Sequence, residues 1–388
     1  MTNLLGNWNY PTAIKFGAGR IAELPCVLKA AGMSRPLLVT DPGLARLPMV
    51  TEAVCANAAA GLPTYVFSDI KSNPVERNVT DGLAVFRAGR HDGVIAFGGG
   101  SALDAGKAIA FMSGQSRPLW DFEDIGDNWL RADPLGIAPT VAVPTTAGTG
   151  SEVGRVSVVG DEALHKKRLI FHPRILPVAV ISDPALTLGL PAPITAATGM
   201  DALAHALEAY CVDAYHPIAD GVALEAMRLV KESLPAAVHD GGDLAARANM
   251  MAAATMGATA FQKGLGAIHS LSHPVGANYD LHHGLLNAVF MPYVLLFNRA
   301  VLGEKMTRLA RFLDLPKPGF EGVLDWVLEL RRVIGIPHRL SELGVDDGRL
   351  DQLVADAVAD PTAPTNPVPL DAAGARRLFH QALAGTFA

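Results

Sequence analysis

Five side chains in the C-terminal half have types and spacing that suit a divalent cation. Asp201 and His205 lie four apart, so on a helix they share one face, one turn apart. His269 and His273 repeat that spacing, and His283 follows after a short loop, 278–282. One carboxylate with three imidazoles, drawn from these five, is a hard-to-borderline donor set for Fe2+, Zn2+ or a similar divalent ion. A single histidine is an ordinary structural residue, but an Asp/His pair and a histidine cluster in one apolar half make a stronger case. His282 rivals His283 by position and is expected to face solvent. Glu208 falls on approximately the Asp201/His205 face, where helix stabilisation or support of a ligand is expected. The zincin signature H-E-x-x-H is absent.

The N-terminal half carries a different chemistry. Gly98, Gly99, Gly100 and Ser101 follow an apolar run, 93–97, and precede a helical pattern starting near Ala102. Glycines let backbone N–H groups approach an anion, and the helix N-terminus adds unpaired donors, a combination suited to a pyrophosphate. The run is not a Walker A loop, because Ala108 follows Lys107 where Ser or Thr is required, and it is not G-x-G-x-x-G. A second loop, 144–152, crowds Thr145, Thr146, Thr149 and Ser151 among small residues, and could wrap a phosphate or ribose. Asp41 ends another apolar run, 36–40. A carboxylate there can accept from a ribose 2′-hydroxyl and repel a 2′-phosphate, although Pro42 and Gly43 equally suit a turn aspartate.

These residues need elements to hold them. Up to about Pro184, short β-rich runs (36–40, 64–67, 93–97, 140–143, 178–181) alternate with helical patterns at 21–31, 49–60, 79–88 and 102–112. Continuous apolar strands between helices predict a parallel sheet covered on both faces. Beyond Pro184, helix-period patterns cover 193–212, 217–234, 244–263, 284–297 and 322–335, so this half reads as all-helical. The boundary falls near Asp183-Pro184 or Leu190-Pro191, dividing the chain into 1–186 and 187–388. A Pro-rich stretch, 360–369, reads as an extended connector before a last helix at 372–384.

Composition narrows the function further. The 388 residues are 50% hydrophobic and 18% charged, which is globular, and the net charge is −6. The nearest approach to a basic block, 165–168, is too short for nucleic acid, and an anionic membrane surface is equally unsupported. Three scattered cysteines offer no disulfide framework or cysteine zinc site and are expected to be buried free thiols. No signal peptide is read at the start, and no apolar stretch of spanning length lacks Gly, Pro or polar interruption. A cytoplasmic protein is expected.

Segments 98–107, 144–153, 199–210 and 269–277, with His283-Gly284 and the late 360–367, resemble the iron-dependent, group III alcohol dehydrogenases in type and order. That family shares a superfamily with glycerol dehydrogenase and dehydroquinate synthase, and the resemblance covers essentially the whole chain. It implies an α/β dinucleotide-binding domain with a parallel sheet, an all-α C-terminal domain, and an active site in the cleft between them. It implies Asp201, His205, His269 and His283 as metal ligands, with His273 beside the nicotinamide. It places Asp41, Asn73, Gly98, Gly99, Gly100, Ser101, Thr145, Thr146, Thr149, Ser151 and Lys167 around NAD. Lys167 is preferred to Lys166 by its spacing to Pro177 and Asp183-Pro184.

The implied reaction is hydride transfer between a primary alcohol, or its aldehyde, and NAD. Fe2+, or Zn2+ or another divalent metal, would act as Lewis acid, and His273 would relay the proton. Hydroxy acids such as 4-hydroxybutyrate, hydroxyaldehydes and polyols are alternative substrates on the same scaffold. The intact ligand set argues against a catalytically silent binding protein. Val368 stands where many members carry Arg, and Gly154 where Thr is common; both departures bear on the substrate. A homodimer or larger homo-oligomer is expected.

Overall fold

The computed structural model describes residues 12–164 and 166–387. The chain divides into two compact units. One runs to Thr146 and resumes over Gly150–Leu188; the other comprises Ala147–Thr149 and the chain from Gly189 onward.

The first unit contains, among the described residues, β1 (Ala13–Phe16), β2 (Pro36–Val39), β3 (Tyr65–Phe67), β4 (Gly93–Gly98), β5 (Thr140–Pro144), β6 (Val156–Asp161), β7 (Lys166–Phe171) and β8 (Ala179–Ser182). Its helices are α1 (Leu24–Ala30), α2 (Pro48–Ala59), α3 (Glu76–Ala88) and α4 (Gly100–Met112). Six strands form a parallel sheet in the order β1-β8-β5-β4-β2-β3. Strand side chains alternate between faces, so one sheet feeds two cores. Leu37, Val39 and Val94 join Val79 and Phe86 of α3 and Ile109 of α4. Leu38, Ile95, Phe97, Val141 and Val143 join Leu24 and Leu28 of α1 and Val50 of α2. Coverage on both faces is why these strands read as unbroken apolar runs.

Strand order reverses direction between β2 and β4: β3 lies beyond β2 on one side, while β5, β8 and β1 extend the other way. In open α/β sheets, ligands bind at the carboxyl ends of the strands flanking such a reversal. Asp41 follows β2, and Gly98 ends β4.

The antiparallel hairpin β6–β7 was not expected from the sequence. Lys166, Lys167 and Arg168 interrupt its apolar content. Val159 and Ile170 still reach the core, and a charge network adds to them: Arg168 pairs with Asp161 (2.9 Å) and with Glu123, and lies 4.4 Å over the Trp120 ring.

The second unit is helical throughout the described residues: α5 (Ala192–Cys211), α6 (Pro217–His239), α7 (Leu244–Ala260), α8 (Ala267–Tyr279), α9 (His283–Asn298), α10 (Gly303–Phe312), α11 (Gly319–Val333), α12 (Leu350–Ala359) and α13 (Ala372–Ala384). Helix α5 is its axis, buried continuously from Thr195 to Cys211 and packed by α6, α7 and α9. Helix α9 approaches it closely at Gly284, where an added Cβ would lie 2.3 Å from the Ala197 carbonyl oxygen. Helices α10 and α12 were not expected, and α8 was signalled only by the His269/His273 spacing. Pro274 lies inside α8, and the other two span ten residues each, too few for a clear period.

The expectation of three buried thiols needs correction, while that of interrupted apolar stretches holds. Among the described residues, His283–Val301 is long and apolar enough to cross a membrane, although Gly284, Asn287 and Pro292 interrupt it. Two-thirds of it is buried inside the unit, as befits a core helix. Of the three free cysteines only Cys211 is buried; Cys26 and Cys55 lie on the exposed faces of α1 and α2.

Candidate functional site

Helix α5 supplies Asp201 and His205, α8 supplies His269 and His273, and α9 begins with His283. Folding brings one donor atom each from Asp201, His205, His269 and His283 within 4.8 Å of one another. His205 and His269 stack with ring centroids 4.8 Å apart. The first three residues are buried and His283 partly so. His282 is exposed, as expected from its sequence position.

A single side-chain amide lies among the inward-facing atoms. Asn287, one turn into α9, donates from Nδ2 to Asp201 Oδ1 (2.8 Å). The same nitrogen lies 3.2 Å from His269 Nε2 and 3.1 Å from His283 Nε2. One amide has two N–H groups, so it cannot donate to all three of these atoms at once. One carboxylate oxygen and three imidazole nitrogens converging in a buried place fit a divalent metal. Burial pushes the His205 imidazole down to about 4, so it is neutral and able to ligate near pH 7.

Glu208 completes the arrangement. Its Oε2 lies 2.6 Å from His269 Nδ1, and Oε1 accepts from the Ile268 N–H at 2.6 Å. Burial draws the His269 imidazole down, but the Glu208 hydrogen bond and charge outweigh it and leave a net upward shift. An Nδ1–H held on a carboxylate turns the Nε2 lone pair toward the cluster, the usual arrangement behind a metal-bound histidine.

His273 is outside the four. Its ring stacks on His283 with centroids 5.2 Å apart, and Nδ1 meets Asp360 Oδ2 at 2.8 Å. Burial raises the Asp360 carboxyl, yet His273 and Thr362 together hold it below its ordinary value. Asp360, Asn287 and Asn366 were not singled out from the sequence. Asn366 Oδ1 accepts from the Ala267 N–H (3.0 Å) and so fixes the start of α8. The D-P-T-A-P-T-N-P run was the available signal for Asp360 and Asn366; Asn287, one turn after His283 on the same face, had only its spacing.

In the sheet unit, several expected nucleotide residues are joined by short links. Asp41 Oδ1 accepts from the Gly43 and Leu44 N–H groups (2.8 and 3.0 Å), the turn role the sequence allowed. Its Oδ2 lies 3.8 Å from the position a Cβ would take on Gly98. Gly98 has φ 146, a conformation open to glycine, and Leu44 and Ala102 close around it. No side chain caps α4 at Gly99. The Thr145 N–H donates to the Gly98 carbonyl (3.0 Å), and Thr146 lies against Gly99. Ser101 Oγ donates to the Ser72 carbonyl, beside Asn73. Lys167 sits opposite Gly160, whose N–H donates to the Pro74 carbonyl (2.7 Å), so the strand register brings Lys167 and Asn73 into one neighbourhood.

Two members differ from this group. Thr149 belongs to the helical unit. The Ser151 hydroxyl turns inward to Asp104 (2.6 Å), while the buried Lys107 ammonium binds the Ser151 carbonyl (2.9 Å) and Asp104 (3.1 Å). Lys107 thus braces the second loop from within.

Comparison with known proteins gives the class. Residues 11–184 match the iron-containing alcohol dehydrogenases, and residues 195–383 match the C-terminal part of the Fe-containing alcohol dehydrogenase family. The chain belongs to this family and is an oxidoreductase. It is 40% identical to the 4-hydroxybutyrate dehydrogenase of Cupriavidus necator, over 96% of this chain and 99% of that protein. It is 37% identical to the 1,3-propanediol dehydrogenase of Citrobacter freundii, over 92% and 93%. Among solved structures, a 1,3-propanediol oxidoreductase superposes with TM-score 0.93 at 34% identity, covering 98% of this chain and all of that one. The sulfoacetaldehyde reductase of Bifidobacterium kashiwanohense, in complex with NAD+, superposes with TM-score 0.88 at 29% identity, over 98% and 99%.

Proposed function

We propose that this chain transfers a hydride between a primary alcohol, or its aldehyde, and NAD, using a divalent metal held by Asp201, His205, His269 and His283. The observation that carries this reading is the convergence of four donor atoms within 4.8 Å, with Glu208 behind His269. Fe2+ is the assigned ion, with Zn2+ or another divalent metal as the alternative. When bound, such a metal supplies Lewis acidity to a substrate oxygen, and the nicotinamide accepts the hydride.

The chain's own residues do the rest. The sheet unit is the NAD-binding domain and the helical unit the metal-binding domain, close to the expected division into 1–186 and 187–388. The uncapped start of α4, with Gly98, Gly99, Gly100 and Ser101, receives the pyrophosphate. Asp41 accepts from the adenosine ribose. Asn73, Thr145, Thr146, Thr149, Ser151 and Lys167 line the remainder of the cofactor. His273 exchanges the alcohol proton with water.

The test is NADH formation by metal-reconstituted protein over a panel of alcohols, with a chelator control. Failure of His205→Ala to lose metal by elemental analysis would remove the assignment. A hydroxy-acid substrate is favoured by the 40% identity with a 4-hydroxybutyrate dehydrogenase over nearly the full chain. Including 4-hydroxybutyrate in the panel and ranking kcat/KM decides between the two. The working protein in this reading is a cytoplasmic homodimer or larger homo-oligomer. Strand β1 lies at a sheet edge, with a hydrogen-bonded neighbour on one side. Light scattering after gel filtration, and fractionation of the producing cell, test these two points.

A further inference from the structure

We infer that Asp360 is a positioning residue for the reaction: it fixes His273 in the tautomer that carries its proton on Nδ1 and leaves Nε2 as the proton-accepting atom. The inference rests on the reading of His273 as the proton relay.

Three features of the contact carry it. First, the carboxylate is fully committed. Oδ2 meets His273 Nδ1 at 2.8 Å, while Oδ1 accepts from the Thr362 backbone N–H (2.9 Å) and from Thr362 Oγ1 (2.6 Å). A deprotonated carboxylate can only accept, so His273 Nδ1 must carry hydrogen. Second, the pair is sheltered: the Asp360 side chain is 9% exposed and that of His273 16%. Shelter keeps water from replacing the hydrogen bond. Third, the carboxylate is anchored independently of the histidine. Asp360 follows the last residue of α12, and Thr362 Oγ1 also reaches the Gly266 carbonyl at 3.3 Å, just before α8 begins. The late connector thereby braces the helix that presents His273. The ring has little freedom left, since one face stacks on His283, with planes 19° apart.

The same geometry makes an isosteric change more damaging than a deletion. In Asp360→Asn, the Thr362 donors still demand an acceptor, so the amide oxygen stays with them and the NH2 group faces His273. Nδ1 must then accept, the hydrogen moves to Nε2, and the ring can no longer take up a proton there. In Asp360→Ala, no tautomer is imposed. A merely structural role predicts the opposite order, with Asn the milder change.

The experiment uses the zinc-loaded protein. Imidazole nitrogen-15 spectra identify the His273 signal by its loss in His273→Ala, and report which ring nitrogen carries hydrogen. The expected result is Nδ1–H in wild type and Nε2–H in Asp360→Asn. Asp360→Asn should lose kcat on the order of 10²- to 10⁴-fold with little change in KM. Asp360→Ala should lose less, and zinc content should stay at the wild-type level in both. In a His273→Ala background, Asp360→Asn should add almost nothing. An unchanged tautomer in Asp360→Asn, or an Asn variant faster than the Ala variant, overturns the inference. If His273→Ala alone leaves kcat intact, the relay reading falls, and the spectra still decide whether Asp360 sets the tautomer.

Discussion

Replacing Asp41 by Asn should shift cofactor preference toward NADP, and the structure sets the size of the effect. Asp41 has two separate duties. Oδ1 holds the turn through Gly43 and Leu44, while Oδ2 lies near Gly98 at the end of the neighbouring strand. A 2′-phosphate on a ribose bound there would add about 1.5 to 2 negative charges beside the carboxylate. At ~4 Å and an effective dielectric of about 20, each unit-charge contact costs ~4 kcal/mol before screening. Asp41 is partly exposed. Keeping roughly a quarter of that figure leaves ~1.5 to 2 kcal/mol for the whole phosphate. The ratio of kcat/KM for NADP to that for NAD should therefore rise roughly 10- to 30-fold in Asp41→Asn. Asn retains the oxygen that holds the turn, so stability should change little; Asp41→Gly would confound the result by removing the acceptor of the Gly43 and Leu44 N–H groups. Steady-state kinetics with both cofactors, at fixed low ionic strength, read the ratio directly. A ratio altered by less than about twofold, or a wild-type protein that already prefers NADP, would show that the carboxylate does not face the ribose.

Four other changes test the rest of the architecture. Glu208→Gln keeps an acceptor for the Ile268 N–H but turns an amide NH2 toward His269 Nδ1, which moves hydrogen onto Nε2; zinc affinity by chelator competition should fall about 10- to 100-fold, and an unchanged affinity would refute the role. Gly284→Ala forces a methyl group against the Ala197 carbonyl and should destabilise the helical unit by about 1 to 3 kcal/mol; an unaltered Tm would mean that α9 shifts freely. Burial pushes the Cys211 thiol up to about 12, so a thiol reagent near pH 8 should modify Cys26 and Cys55 quickly and Cys211 only after denaturation; three fast thiols would contradict the packing of α5. Burial raises the Asp161 carboxyl, but the Leu164 and Ala163 N–H groups and Arg168 lower it further, for a net depression below 3.8. Its contribution is therefore complete above that value and lost as pH falls through the folded pKa. The stability gap between wild type and Asp161→Asn should narrow from about pH 7 to about pH 3, and a constant gap would exclude the pairing.

What the sequence determined by itself is local and periodic. Unbroken apolar runs at 36–40, 93–97 and 140–143, alternating with helical patterns, read as strands covered on both faces, and they are β2, β4 and β5 of a parallel sheet. Four-residue spacing put Asp201 over His205 and His269 over His273, because 3.6 residues per turn leave no other arrangement on a helix. The hairpin β6–β7 was missed: Lys166, Lys167 and Arg168 break the apolar pattern of its second strand, and Arg168 meets its partners Glu123 and Asp161 only in the fold. The connector 360–369 looked extended and passive, yet it delivers Asp360 to His273 across 87 residues of sequence, and Asn366 to Ala267 across 99. Only the tertiary structure decided which ring nitrogen of His269 and of His273 is committed. That depends on carboxylates and amides brought from other helices, Glu208 to His269 and Asn287 to the centre of the cluster. Spacing along a chain fixes which side chains share a helix face; hydrogen-bond partners, and with them tautomers, are set by whatever packing brings to the opposite side.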